Sequence, residues 1–268
     1  MRRTRAVLSA MTFLVAGALA RSAGALDRFE VQVYEPDLNR PGQFGLELHS
    51  NYTLRGNSAP EYAGQVPPDR VARFTLEPAL GVTNWLEVGA YLQAMIAPDV
   101  GAQWAGWKLR TKFVLPVELT TPWFCGINLE LGRMPKRVEE EGWANEIRPF
   151  LGFNNGRILV DFNPILGYAL TGPDKFKPDF EPAGKLSFNT QRGFSLGAEY
   201  YSSLGRFAKG FDVWKSQEHM LFGVFDLAPP SGADDEAGAW ELNLGVGRSL
   251  TAAPGPEWLV KGIVGRAF

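Results

Sequence analysis

Only one cysteine, Cys125, occurs in the 268-residue chain, so no internal disulfide can staple it. There are two histidines, His49 and His219, too few for a histidine-rich metal centre. Beyond residue 25 the sequence has no apolar run of the about 20 residues that a membrane-spanning helix needs. Long helical periodicity is missing too. Nor is there a basic excess: the formal net charge is −2, which argues against a nucleic-acid partner.

What is present begins with an address. Met1–Arg5 is basic, Ala6–Ala20 is mostly apolar, and Ala23-Gly24-Ala25 has the small-x-small form of a cleavage site. Residues 1–25 therefore read as a secretory signal peptide, with the mature chain starting at Leu26. Its removal takes away four arginines and no acids, so the net charge moves from −2 to −6. An exported chain with one cysteine draws its stability from a large core or a closed sheet.

The remainder is rich in glycine (30 residues) and in aromatics (8 Trp, 7 Tyr and 18 Phe), a composition that suits β-structure with tight turns. Period-2 alternation recurs in twelve runs: 43–54, 70–82, 85–96, 103–115, 122–132, 143–153, 157–170, 179–190, 193–203, 218–227, 239–250 and 257–268. Short turns such as Thr83-Asn84, Asn154-Asn155-Gly156 and Gln191-Arg192 alternate with longer polar loops at 55–69, 133–142, 171–178 and 204–217. Ala228–Gly238 is long where a short turn is expected. Long loops at one end and short turns at the other is the pattern of a bacterial outer-membrane barrel.

Alternation assigns two faces. In Gly156–Leu170, Ile158, Val160, Phe162, Leu166 and Tyr168 share one face, while Asp161 and Asn163 share the other. Over the whole chain the polar face collects Glu47, His49, Asn51, Arg73, Glu77, Glu87, Lys108, Arg110, Lys112, Asn128, Glu130, Glu146, Arg148, Asp161, Asn163, Glu181, Lys185, Glu199, Glu241, Asn243 and Lys261. Alternation alone does not separate a barrel from a soluble sandwich. The aromatics do. On the apolar face Phe44, Trp123, Phe153, Phe194, Trp240 and Phe268 fall at the short-turn ends; Tyr52, Trp143, Tyr168, Tyr200 and Trp258 fall at the opposite ends. Two rings of amphipathic aromatics are the girdles of a protein crossing lipid. Trp85 has the wrong parity for either girdle.

The expected fold is thus all-β: an antiparallel up-and-down transmembrane barrel of about twelve strands over residues 43–268, preceded by a periplasmic segment, 26–42, that could act as a partial plug. Its surroundings would be outer-membrane lipid and lipopolysaccharide. The closing alternation, ending on Phe268 with Val264, Val260 and Trp258 on the lipid-facing parity, has the form by which barrel assembly machinery recognises a C-terminal strand.

The candidate lumenal residues place Lys108, Arg110 and Lys112 on one line of one strand, which reads as a selectivity ladder or as partners for nearby acids such as Glu87 and Glu130. The polar face holds nine acids and seven bases, a near balance that favours local pairing. His49-Ser50-Asn51 invites a hydrolase reading, but strand neighbours point to opposite faces, so His49 and Ser50 cannot meet. Neither histidine has an evident metal or serine partner. Gly245-Val246-Gly247 is followed by no helix and is not a dinucleotide fingerprint. Lys136-Arg137 before Glu139-Glu140-Glu141 reads as a solvated loop. No catalytic, metal or cofactor site is expected, and a solute remains unnamed.

Several stretches, among them VQVYEPDLNRPGQFGLELHSNYTLRG, NEIRPFLGF, DFNPILGYAL and LNLGVGRSLT, resemble small proteobacterial outer-membrane barrels described as transporters or linked by name to the MetA pathway of phenol degradation. That resemblance runs over nearly the whole mature chain and implies a barrel that takes up small molecules, aromatic ones among them. The function expected is a narrow passive channel. A sealed barrel acting through its loops, or an outer-membrane lipid-acting enzyme, are the alternatives.

Overall fold

A computed structural model describes residues 27–227 and 240–268. The expected signal peptide, 1–25, and the expected connection, 228–238, lie outside the described residues. Fifteen strands form one sheet: β1 (Phe44–Gly56), β2 (Ala72–Thr83), β3 (Leu86–Ala97), β4 (Gly101–Val114), β5 (Trp123–Arg133), β6 (Trp143–Asn154), β7 (Ile158–Asn163), β8 (Leu166–Ala169), β9 (Asp179–Phe180), β10 (Ala183–Asn189), β11 (Ser195–Ser203), β12 (Gly205–Arg206), β13 (Glu218–Leu227), β14 (Trp240–Ser249) and β15 (Pro256–Ala267). One short helix, α1 (Val117–Thr120), lies between β4 and β5.

Every pairing is antiparallel: β1 to β6 pair in sequence, β6 pairs with both β7 and β8, β9 joins β8 to β12, β10 joins β7 to β11, and β11, β13, β14 and β15 follow in order. β15 returns to β1 with Gly45 opposite Ala267 and Asn51 opposite Lys261, so no edge is left. Three staves are interrupted by irregular residues and count as two strands each: β7–β8 at Pro164-Ile165, β9–β10 at Glu181-Pro182 and β11–β12 at Leu204. The barrel therefore has twelve staves. Proline lacks the N–H that a ladder needs, which explains the first two interruptions.

The outward face is apolar. Leu48, Leu76, Leu92, Leu109, Val160 and Leu186 stand on it between 39% and 57% exposed. A water-soluble chain does not cover itself in leucine; a closed sheet with this exterior and a charged interior presents its outside to lipid. Ring pairs mark the ends of the staves. Phe44 packs against Phe268 at 6.4 Å and Trp123 against Phe153 at 5.2 Å at the short-turn end, and Trp107 meets Trp143 at 5.9 Å at the other.

Two local details depart from simple alternation. Trp85 lies in the β2–β3 turn, with β3 starting at Leu86, so strand parity does not apply to it; it stacks on Phe113 at 6.1 Å. In β4 the register slips opposite Gln93/Ala94, at Gly106, whose φ of +127° strains any residue with a side chain. That bulge turns Trp104 outward, 54% exposed, although it is three residues from Trp107.

Candidate functional site: an occupied lumen below an acidic vestibule

Residues 27–42 do not hang below the barrel. They run through it, in the manner of a plug rather than of a segment beneath the barrel. At the long-loop end Arg28 pairs with Glu61 and Glu218, each at 3.6 Å. At the short-turn end Asn39 donates its backbone and side-chain N–H groups to Glu87, both at 2.7 Å, and a turn at Arg40–Gln43 leads into β1. A side chain at Gly81 would collide with the Asn39 and Arg40 carbonyls, so that glycine lets the segment cross close to β2.

The alternation Phe29, Val31, Val33 is what holds the segment inside. Phe29 joins Val71, Met95 and Ala105; Val31 and Val33 join Ile165, Met220, Phe222 and Leu259; Tyr34 joins Val114, Phe124 and Phe150. Exposed in the periplasm, these side chains would forgo about 1.5–3 kcal/mol each of burial.

An extended segment inside a barrel also carries backbone groups that no ladder satisfies. Lumenal side chains satisfy several of them. Lys261 Nζ donates to the Val31 carbonyl at 3.0 Å, Arg148 to Gln32 at 3.1 Å and Lys112 to Asp37 at 2.7 Å. Asn51 and Thr75 both reach the Phe29 carbonyl at 3.1 Å. Asn163 receives the Tyr34 N–H at 2.7 Å and returns its own N–H to the Tyr34 carbonyl at 3.2 Å. The segment's acids pair likewise: Asp27 with Lys108, Glu30 with Gln93 at 2.7 Å, Glu35 with Lys185 at 2.8 Å.

The polar-face residues named from sequence divide by their burial. His49, Arg73, Glu77, Glu87, Lys108, Arg110, Lys112, Glu130, Arg148, Asp161, Glu181, Lys185, Glu199 and Lys261 are all buried beneath or beside the segment. Glu47 and Glu146 are half-buried, and Glu241 is exposed. Each residue of the basic line on β4 has a partner. Lys108 meets Glu130 at 2.9 Å, Arg110 bridges Glu77 (2.6 Å) and Glu87 (2.7 Å), and Lys112 lies over the Tyr34 and Phe150 rings.

Glu47, His49 and Glu77 bring their ligating atoms within 4.8 Å of one another. His49 Nε2 sits 3.0 Å from Glu77 and 3.5 Å from Glu47. Glu77 already holds the Arg110 guanidinium, so this group fits an ion-pair network in which a cation is present. Residues that sequence reasoning missed include Tyr91, whose hydroxyl meets that of Tyr34, and Gln93. The alternation of Phe29 to Tyr34 was the signal for the segment. Nothing in the sequence marked its Tyr91 contact.

Above the segment opens a cavity of about 550 Å³. Its floor is Asp27, Arg28 and Phe29, and loop residues including Glu61, Tyr62 and Val138 form its walls. Ten acidic residues border it against six basic ones, so the space is electronegative. Burial, then the Asp27 charge, pushes the Glu139 carboxyl up to about 7. Asp174 on the 170–178 loop is instead held well below the usual carboxylate range by hydrogen bonds from Arg206 and Lys177.

No protein-family model and no curated protein matches the chain. Solved structures do. The crystal structure of an outer-membrane channel from Pseudomonas putida F1 superposes with a TM-score of 0.59 at 11% identity, over 89% of this chain and 100% of that one. The KdgM porin superposes at 0.52 and 11% identity, over 84% and 99%. The fold is that of outer-membrane channel barrels. At such identity the likeness carries no solute and does not single out the phenol-degradation family.

Proposed function

We propose that the chain is exported, loses residues 1–25, and sits in the outer membrane of a Gram-negative bacterium as a narrow passive channel for small solutes. The observation that carries this reading is the vestibule above a segment held against the wall by non-covalent contacts: apolar packing, hydrogen bonds and ion pairs. A twelve-stave ring is wider than the eight-strand barrels that side chains fill. Here the extra width is taken up by a removable strand of chain. Displacing it would leave a passage lined by Glu77, Glu130, Glu199, Lys108, Arg148 and Lys261.

Lipid and lipopolysaccharide would surround the barrel. Phe268, paired to Phe44 through backbone N–H···O contacts of 2.7 and 3.4 Å, would present the closing strand to the assembly machinery. The resemblance to transporters linked with phenol degradation adds small aromatic molecules to the candidate solutes.

The test is single-channel conductance of the refolded mature protein in a planar bilayer, with and without residues 26–41. Brief or small steps from the full chain and stable, larger ones after deletion are expected. Silence from both, in protein whose heat-modifiable migration shows it folded, would replace this reading with a sealed barrel that acts through its loops.

A further inference from the structure

The vestibule has an uneven distribution of partners. Each basic residue at its border is already committed. Arg28 holds Glu61 and Glu218, Lys108 holds Asp27 and Glu130, Arg206 and Lys177 hold Asp174, Arg73 donates to Thr53, and Arg137 donates to Gln103. Glu181, by contrast, has no hydrogen-bond or ion-pair partner for its carboxylate among the described residues, although it is 8% exposed. The charged groups acting on it most strongly are Glu146, Asp179, Glu139 and Glu218, all acids. Asp179 is 7% exposed; its Oδ1 accepts no hydrogen bond and has only a long ion-pair contact, 3.9 Å, with Arg206, whose shorter contact is to Asp174.

The placement of Glu181 looks built. It falls at the Glu181-Pro182 interruption between β9 and β10, and its backbone N–H is anchored to the Ile165 carbonyl at 2.9 Å. Its Oε2 lies over Gly167, where an added Cβ would stand 3.1 Å away. A larger residue there would crowd the carboxylate. A buried carboxylate without a partner costs several kcal/mol and persists where something compensates it.

The other side of the cavity is apolar. Met95 is on the third stave and Glu181 on the eighth of twelve, nearly opposite around the ring. Val66 and Val138 pack against the cluster that holds Met95 and Phe29, and all four border the cavity. A space of about 550 Å³ is far larger than one metal ion and falls within the range that holds a small organic molecule.

We propose that the vestibule is a binding site for organic ammonium ions, with the cationic end at Glu181 and Asp179 and the apolar body against Val66, Met95 and Val138. This deepens the channel reading and rests on it for the passage of the solute, though not for its binding.

The experiment is titration calorimetry of the full mature chain in detergent with cyclohexylammonium, with cyclohexanol as its neutral counterpart and magnesium as a bare cation. Cyclohexylammonium is expected to bind at least tenfold more tightly than either. Glu181→Gln, an isosteric change, should weaken it at least tenfold, and Glu139→Gln, in an outer loop, should weaken it less. Equal binding of cyclohexanol, or an unchanged affinity in folded Glu181→Gln, would overturn the site. Tighter binding of magnesium would overturn the organic-cation assignment in favour of a metal ion. Conductance measured on the same samples separates the two claims: binding without conductance defeats the channel and leaves the site, and conductance without binding does the reverse.

Discussion

Lys261 offers the sharpest perturbation of the occupied lumen. It is 1% exposed, pairs with Glu199, and donates to the Val31 carbonyl at 3.0 Å. Replacing it with methionine keeps the apolar stem and removes the charge. Two costs follow, and they fall on different equilibria. Glu199 loses its nearest cation and keeps only Tyr201 at 2.6 Å and Lys185 at 3.8 Å; breaking a buried pair this way costs the barrel about 3–5 kcal/mol. With a urea slope of about 2 kcal/mol/M, the unfolding midpoint should fall by about 1.5–2.5 M. The Val31 carbonyl is orphaned at the same time, a penalty of about 1–3 kcal/mol that the segment escapes by leaving the lumen. The open population should rise roughly 5- to 150-fold, read as open probability in single-channel records.

A second variant separates the two effects. Lys261→Met with Glu199→Gln removes both charges, so most of the urea stability should return while the Val31 carbonyl stays unpaired. The double variant is expected to be stable and more often open. If stability and open probability recover together, the segment is not held through Val31 and the argument fails.

Arg110→Met leaves Glu77 and Glu87 without their shared cation and should destabilise the folded barrel by about 3–5 kcal/mol, checked by urea unfolding; an unchanged midpoint would show that these acids are protonated or solvated. Replacing Lys108, Arg110 and Lys112 together by glutamine should shift selectivity toward cations, and unmoved reversal potentials would remove those residues from the conduction path. Because the Glu139 carboxyl is raised to about 7, it gains charge as pH rises through that value. Cyclohexylammonium affinity should therefore increase from about pH 6 to about pH 8, and Glu139→Gln should reduce that dependence. Deleting Phe268 should leave refolding in detergent intact but lower the amount of assembled protein in cells, measured by quantitative blotting of membrane fractions.

The staves were legible because lipid enforces strict alternation: every residue that faces out must be apolar, and Asp161 or Lys185 on the wrong parity would be costly. Places where alternation lapses were harder to read. Gly106 inserts a bulge that composition does not announce, and Trp85 looks like a strand residue because an aromatic is as welcome in an interfacial turn as on a stave. The candidate lumenal set was visible for the same reason as the staves. Its partners were not. Lys112 to the Asp37 carbonyl and Lys261 to the Val31 carbonyl are contacts across 75 and 230 residues, and periodicity carries no information over such separations. Glu181 read as one more polar-face acid, and only the folded ring shows that it has no cation partner among the described residues.

The route of residues 27–42 has a topological consequence. The chain passes through a ring made of its own later residues, so the β1–β15 seam must close around the segment, or the segment must thread a ring already closed. Either way the arrangement is a tail threaded once through its own ring, not a knot. It can be drawn out toward the short-turn end with every stave still paired, and any residues upstream of Asp27 would be drawn through the pore with it.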